Sequence, residues 1–478
     1  MRNIRLKLLY TLPRLYSMDI SGLRFKYKGK EEAFTEDQIT VKEPFDHFKK
    51  WFQEILNDKD VIEPNAVALA TATKDGIPSC RFVLLKEFNK DIGFKFYTNL
   101  NSRKGSELLE NPNAAMTFYW AKYNRSVRIE GSVKVLPDED ATKYFLSRPY
   151  KSQIGALASN QSHPIPSRDH LTARGDELQE EFPNKDNIKK PAEWGGFSLI
   201  PKCIEFWQGQ SDRMHDRIRF RRPKDGEVID GKLLHQGEDG WVYERLAPYT
   251  NRIQLKFKGR EEAFTEDQIT IKEPFYLFKK WFEEVLNDKD VIEPNAVALA
   301  TASKDGIPSC RYVLLKGFDK DVGFKFFTNL KSRKGLELLE NPNAAMAFYW
   351  GKHNRSIRIE GTVKVLSEEE SSEYFSSRPY QSQIGALASN QSRPIPSRDV
   401  LTTRGEELKK QFPNKDSIKK PAEWGGVSLV PKCVEFWQGQ TDRLHDRIRF
   451  RRPKADEVVD GKLLHQGEDG WVYERLSS

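Results

Sequence analysis

Cysteine is scarce in this chain. The four that occur, Cys80, Cys203, Cys310 and Cys433, have neither CxxC spacing nor a histidine pattern beside them. That excludes a disulfide framework and a metal site of ordinary ligand spacing, and leaves buried thiols in a reducing compartment as the expectation. No apolar stretch is long enough to cross a bilayer, so no membrane span is expected. There is no glycine-rich GxGxxG or GxxxxGK loop, so any bound phosphate has to be gripped by side chains. GxSxG, HExxH and framed carboxylate pairs are also missing, which removes support for hydrolase chemistry. Charge of one sign does not accumulate either. A net charge of +8 is spread among interspersed acids, without the basic tail or stripe that a long nucleic-acid backbone calls for.

What the chain has instead is a repeat. The stretch from Arg24 to Pro248 returns from Gln254 to Ser478, with Arg81 matched by Arg311 and Trp207 by Trp437 at a constant offset of 230 positions (311 − 81). A period of that length is a whole globular unit rather than a solenoid module. The expected layout is a leader over 1–23, a first domain over 24–248, a linker over 249–253 and a second domain over 254–478. With 38% hydrophobic and 31% charged residues, each copy can close a sizeable core. Roughly 26 residues before Pro274, spanning at most ~90 Å, can serve as a tether, so side-by-side docking of the copies is allowed. Residues 1–17 carry Arg2, Arg5, Lys7 and Arg14 with no acid before Asp19, and Leu6, Leu8, Leu9, Leu12 and Leu15 form an apolar face. Read as a presequence, this segment points to mitochondria; read as a leader ahead of an internal start at Met18, it leaves a cytoplasmic protein.

Within one copy, Glu43-Pro44-Phe45 opens a helix with proline at its first position, and Phe45, Phe48, Trp51, Phe52, Ile55 and Leu56 fall on one face. Extended segments follow at Ala66 to Thr73 and Pro78 to Phe88, separated by Lys74-Asp75-Gly76, whose Asp-Gly step suits a tight hairpin. Gly93 to Leu100, Ala114 to Trp120 and Ser126 to Val135 continue the strands. Helices are expected at Ser102 to Glu110, Asp138 to Ser147 and Ser167 to Glu181, and strands again at Phe197 to Trp207, Arg217 to Arg222 and Trp241 to Leu246. Many antiparallel strands with a few peripheral helices indicate an α+β barrel rather than βαβ units.

Three clusters carry chemistry. Arg81-Phe82-Val83-Leu84-Leu85-Lys86 is followed by Phe96-Tyr97-Thr98-Asn99 and Ser102-Arg103-Lys104. Arg103 and Lys104 occupy the first turn of a predicted helix, where the dipole disfavours cations unless an anion joins them; a solvated basic helix end is the plainer reading. The second cluster, Tyr144, Arg148-Pro149, Ser152 and Ser159-Asn160-Gln161-Ser162, reads either as a set of anion donors or as ordinary capping and turn chemistry. The third runs from Glu205 through Trp207 to Arg213, His215 and Arg217, which alternate as on one face of a strand. An imidazole and guanidiniums beside an indole suit a flat, anionic heteroaromatic ligand; a structural histidine is the alternative.

These segments, together with SRPYxSQIGALASNQS and WQGQxDRxHDRIRFRR closing on WVYERL, resemble the pyridoxamine 5'-phosphate oxidase family over essentially all of both copies. The resemblance implies an FMN-binding split β-barrel, duplicated in tandem, with two sites at a dimer interface. It implies FMN-dependent oxidation of pyridoxamine and pyridoxine 5'-phosphates by O2 to pyridoxal 5'-phosphate and H2O2. It assigns Arg81, Leu84, Tyr97, Thr98, Arg103, Lys104, Gln161, Ser162, Trp207 and Arg217 to FMN, matched by Arg311, Leu314, Phe327, Thr328, Arg333, Lys334, Gln391, Ser392, Trp437 and Arg447. It assigns Lys86, Tyr144, Arg148 and Ser152, matched by Lys316, Tyr374, Arg378 and Ser382, to the substrate phosphate. Arg213 and His215, matched by Arg443 and His445, would lie over the substrate ring, and Arg24 and Tyr27 would cover it.

Two departures stand out. Ser126 and Ser356 replace a flavin-contacting glutamine usual in the family, and Gln254 and Phe257 replace Arg24 and Tyr27 in the second copy, so the second-copy lid is expected to close less well. Because each family site draws on both subunits, Arg81 to Lys104 are expected to face Gln391, Ser392, Trp437 and Arg447 across an internal pseudo-dimer, with pairing between two chains as the alternative. The rival functions are a flavin or pyridoxal-phosphate carrier with one or both sites catalytically degenerate, and an RNA-binding barrel, which would need stacking platforms and a continuous positive stripe.

Overall fold

The computed structural model describes residues 18–19, 42–210, 214–248 and 271–477. Arg24, Tyr27, Gln254, Phe257 and Arg213 lie outside them. Each half carries one antiparallel sheet wrapped around an aromatic core. In the first half the strand order runs Gly93–Asn99, Trp194–Gln208, Arg125–Val135, Asn113–Trp120, Ala66–Ala72, Pro78–Leu84. The long strand Trp194–Gln208 also pairs with Asp216–Arg221, which pairs with Val242–Leu246. The second half repeats this with Trp424–Gln438 at the same place. In the hairpin that joins Ala66–Ala72 to Pro78–Leu84, the Gly76 N–H donates to Thr73 O at 3.0 Å and Gly76 sits at φ +77, so one left-handed residue suffices where the Asp-Gly step suggested two.

The helix Pro44–Leu56 starts where its sequence predicts, but Leu56, expected on the apolar face, is its last residue and is exposed. Glu43 caps it by accepting the Asp46 N–H, and Phe48, Trp51, Phe52 and Ile55 are buried against the sheet. Each such side chain contributes roughly 1.5–3 kcal/mol on burial. Asp138–Ser147 forms over its expected span, and the helices Arg103–Glu110 and Arg168–Glu181 begin just after their caps Ser102 and Ser167. Tyr150–Ala158 is a helix as well, where turn chemistry was the alternative reading.

The two halves dock through the opposite faces of the same strands. Along Ala66–Ala72, Val67 and Leu69 point into the half's own core, while Ala68 and Ala70 join Cys80, Ala115, Ala298, Ala300, Cys310, Ala345 and Ala347 in a shared layer between the sheets. Period-two alternation makes this possible, and alanine lets the sheets approach closely. Cys80 and Cys310 are both buried there. Strands also cross over: Val242–Leu246 pairs with Pro394–Ile395, and Val472–Leu476 with Pro164–Ile165. One pairing has no described counterpart. Met18–Asp19 adds to the edge of the second half at Gly317–Asp319, and Lys316 next to it is 9% exposed, whereas Lys86 is exposed.

Candidate functional site

The strand Pro78–Leu84 and the helix Arg103–Glu110 bring the first cluster together. Arg81 is buried, with its guanidinium donating to Ser79 Oγ at 2.6 Å and Glu107 Oε2 at 3.1 Å. Arg103 donates to Glu107 at 2.8 Å and, across the halves, to Glu360 Oε2 at 2.6 Å, which raises its pKa beyond the usual guanidinium range. Lys104 Nζ donates to Thr98 Oγ1 at 2.9 Å, Ser102 Oγ at 3.1 Å and Gln161 Oε1 at 3.0 Å. Burial pushes this ammonium well below its ordinary pKa, and the nearby Arg81, Arg447 and Arg358 push it further. A half-buried ammonium crowded by three guanidiniums is a site that an anion would relieve.

The rest of this cavity comes from the second half. Arg81, Leu84, Arg103, Lys104, Gln161 and Ser162 share a recess of about 310 Å³ with Ser356, Arg358, Glu435, Trp437, Arg443, His445 and Arg447. Arg447 Nη1 donates to Ser162 Oγ at 3.3 Å and to Ser477 O at 2.8 Å. Burial opposes ionisation of Glu435, yet Arg447 and Arg358 hold its pKa down to about 2. The expectation that Gln391 and Ser392 would complete this recess is corrected. Gln161 and Ser162 stay with the strand and helix of their own half, while Gln391 Oε1 accepts from Lys334 at 3.3 Å and Ser392 Oγ from Arg217 at 3.4 Å. Trp437 and Arg447 do cross over as expected.

A second lobe, about 590 Å³, adjoins the first and shares Leu84, Lys104, Gln161, Arg443 and His445 with it. Lys86, Tyr97, Thr98, Tyr144, Arg148 and Ser152 line it. Tyr97 stacks on Tyr144 at 4.1 Å, Lys86 Nζ lies 5.8 Å from the Tyr144 ring, and the Arg148 guanidinium lies 5.1 Å from the Trp194 ring. Among the described residues, Arg148 Nη1 is buried with no hydrogen-bond acceptor, and burial lowers the Arg148 pKa. A guanidinium in that condition lacks the anion that would compensate its desolvation.

Arg443 and His445 project from a loop ahead of the strand Asp446–Arg451, so the alternation expected of Arg213, His215 and Arg217 on one strand face does not hold for their counterparts. Arg443 sits at φ +69, a conformation costly for a side-chain-bearing residue. His445 Nδ1 accepts the Gln440 N–H at 3.0 Å, which leaves the proton of the neutral ring on Nε2. Burial, then Arg443, lowers its pKa to about 4. His215 Nδ1 accepts from Gln210 N–H in the same way at 2.9 Å. The rings of Trp437 and His445 lie 4.9 Å apart, and those of Trp207 and His215 5.0 Å.

The pseudo-symmetric site collects Arg311, Thr328, Arg333, Lys334, Gln391 and Ser392 against Arg217. Lys334 donates to Thr328 at 3.1 Å, and Arg333 to Glu130 of the first half at 2.6 Å. Burial, then Arg311, Arg217 and Arg128, depress Lys334 as their counterparts depress Lys104. Phe327 keeps the stack on Tyr374 at 4.0 Å without the Tyr97 hydroxyl. Ser126 and Ser356 turn their hydroxyls to Phe118 O and Phe348 O, at 2.8 and 2.9 Å. Sequence reasoning missed Glu63, which lines both lobes at φ +48 and accepts from the Tyr349 hydroxyl, and Arg358 and Glu435. Glu435 could have been found: it lies two residues before Trp437 and therefore on the same strand face.

Known proteins match along these lines. The family described as "Pyridoxamine 5'-phosphate oxidase" matches residues 49–181 and 282–412. The "Pyridoxine 5'-phosphate oxidase C-terminal dimerisation region" matches 194–248 and 424–478. A pyridoxine/pyridoxamine 5'-phosphate oxidase of Bombyx mori is 56% identical over 237 residues, 49% of this chain and 91% of its own. A pyridoxine-5'-phosphate oxidase of Bos taurus is 50% identical over 233 residues, 48% of this chain and 88% of its own. A crystal structure of PhzG from Burkholderia lata 383 aligns at 29% identity and a TM-score of 0.40, over 46% of this chain and 100% of that one. The chain belongs to the pyridoxamine 5'-phosphate oxidase family, with that family's oxidase and dimerisation regions each present twice in one polypeptide.

Proposed function

We propose that this chain is an FMN-dependent oxidase of pyridoxine and pyridoxamine 5'-phosphates, with two sites formed between its own halves. The observation that carries this reading is a pair of adjoining lobes, each with a cation that has no carboxylate partner in hydrogen-bond reach among the described residues: Lys104, whose donors go to neutral Thr98, Ser102 and Gln161, in one, and Arg148 in the other. Two phosphorylated ligands lying side by side would satisfy both. The residues fit FMN in the first lobe. Arg103, Lys104, Gln161, Ser162 and Arg447 supply charge and donors for its phosphate, and Leu84 and Trp437 supply apolar surface. In the second lobe Lys86, Arg148 and Ser152 would grip the substrate phosphate, and Tyr144 would flank it.

When bound, FMN would supply the two-electron acceptor for the substrate's 4' carbon and pass the electrons to O2, releasing H2O2. The protein's part is placement and exclusion of water. Arg443 and His445 line both lobes, so they would lie where the substrate ring meets the cofactor. The neutral His445 can donate from Nε2 without adding a charge over the ring. Anaerobic addition of pyridoxine 5'-phosphate to the FMN-loaded chain tests this. Bleaching of both flavins per chain is expected; a loaded chain that does not bleach is a carrier instead.

A further inference from the structure

The loop that bears Arg443 and His445 is held by the other half of the molecule. Arg168, at the first position of the helix Arg168–Glu181, reaches across the halves. Its Nη1 donates to Leu444 O at 2.8 Å and Asp446 Oδ1 at 2.9 Å, and its Nη2 donates to Asp442 Oδ2 at 2.6 Å. A cation in a helix's first turn is disfavoured by the dipole unless carboxylates compensate it, and here both carboxylates belong to the opposite half. Asp446 is fully buried and also accepts from Arg475 at 2.8 Å and from Gln440 Nε2 at 2.6 Å. Two glycines of the first half complete the seat. A Cβ at Gly155 would come within 3.3 Å of Arg443 O, and one at Gly175 within 3.3 Å of Leu444 Cδ1. The left-handed Arg443 is thus pressed onto the helix Tyr150–Ala158 that carries Ser152.

We propose that Arg168 is a positioning residue that sets the span between the Arg148–Ser152 anion clamp and the Arg443–His445 pair, and so the length of substrate that fits between them. The proposal rests on the oxidase reading for its substrate, but the geometry repeats independently of it: Arg398 donates to Met214 O at 2.6 Å and Asp216 Oδ1 at 2.8 Å at the other site.

The test uses the full chain with the second site silenced by Arg378→Ala. In that background Arg168→Ala is expected to lower kcat by ~10- to 100-fold, since a misplacement of about 1 Å can cost up to that upper figure, with inhibition by inorganic phosphate and flavin content unchanged. Arg168→Lys should recover part of the loss. In the flavin-free protein, Arg168→Ala should speed amide hydrogen exchange in residues 440–446 and leave 214–216 as they were. Asp442→Asn, which keeps the Asp446 contact, should shift both readouts in the same direction by less, and it serves if Arg168→Ala does not fold. Unchanged kcat, or unchanged exchange in 440–446, overturns the role of Arg168. A parent chain that never turns over overturns the oxidase reading instead, and exchange then still decides on Arg168.

Discussion

At Lys104 the decisive quantity is charge density. Its pKa lies well below 10.5 because burial and three guanidiniums oppose its ionisation. An incoming phosphate reverses that balance, so binding takes up a proton wherever the pH exceeds the depressed value, and affinity falls as pH rises. Lys104→Met is expected to weaken FMN binding by roughly 10- to 100-fold, the worth of a charged hydrogen bond, and to abolish the proton uptake. Calorimetry in buffers of different ionisation enthalpy measures both. His445 acts through neutrality. Its folded pKa of about 4 lies below the ordinary 6.5, so between these values the unfolded chain holds the proton and the folded chain does not. Its contribution to stability is therefore complete above pH 6.5 and lost as pH falls toward 4. Denaturant midpoints across that range should slope less steeply in His445→Gln.

At the scale of elements, caps and strand faces do the placing. Ser102 caps the helix Arg103–Glu110 by accepting the Gly105 N–H at 3.4 Å, and also accepts from Lys104, so one hydroxyl orients both the helix and its cation. Glu273 caps the helix Pro274–Asn287 by accepting the Tyr276 N–H at 2.8 Å, yet burial raises its pKa to about 7. The sign is opposite to that of His445. The folded chain keeps a proton that the unfolded chain releases between pH 4.5 and 7, so stability present below 4.5 is lost as pH rises to 7. Glu273→Gln retains an acceptor oxygen and should flatten this slope, as thermal melting on either side of the window would show.

At the scale of the whole molecule, each site is shared. Arg148 and His445 line one lobe although they belong to different halves, whereas His215 is the counterpart of His445 in the first copy. Arg148→Ala with His445→Ala therefore damages one site and should leave about half of the activity, while Arg148→Ala with His215→Ala damages both and should leave almost none, because distant sites otherwise act additively. Steady-state rates of the two double variants decide it; the reverse pattern would mean that each half works alone. The sites also differ at their rims. Met18–Asp19 lies beside Lys316 and has no described counterpart beside Lys86. The expected difference between the two lids rests on Arg24, Tyr27, Gln254 and Phe257, outside the described residues.

The repeat, the amphipathic helix from Pro44, most strands and the motifs of all three clusters were legible in the sequence, because periodicity, capping and turn residues act over a few neighbours. The helix Tyr150–Ala158 was not, since YKSQIGALA has too little amphipathic contrast to separate a helix from a turn. Partnership across the halves was beyond local signals altogether. That Gln161 stays at home while Trp437 crosses follows from how the alanine layer stacks two sheets, and that Arg168 seats the Arg443 loop follows from a helix end meeting another half's carboxylates. The sequence by itself determined which residues carry charge, donors and aromatic surface. Only the tertiary structure decided which of them share a site, because contacts between residues hundreds of positions apart are set by packing rather than by any pattern along the chain.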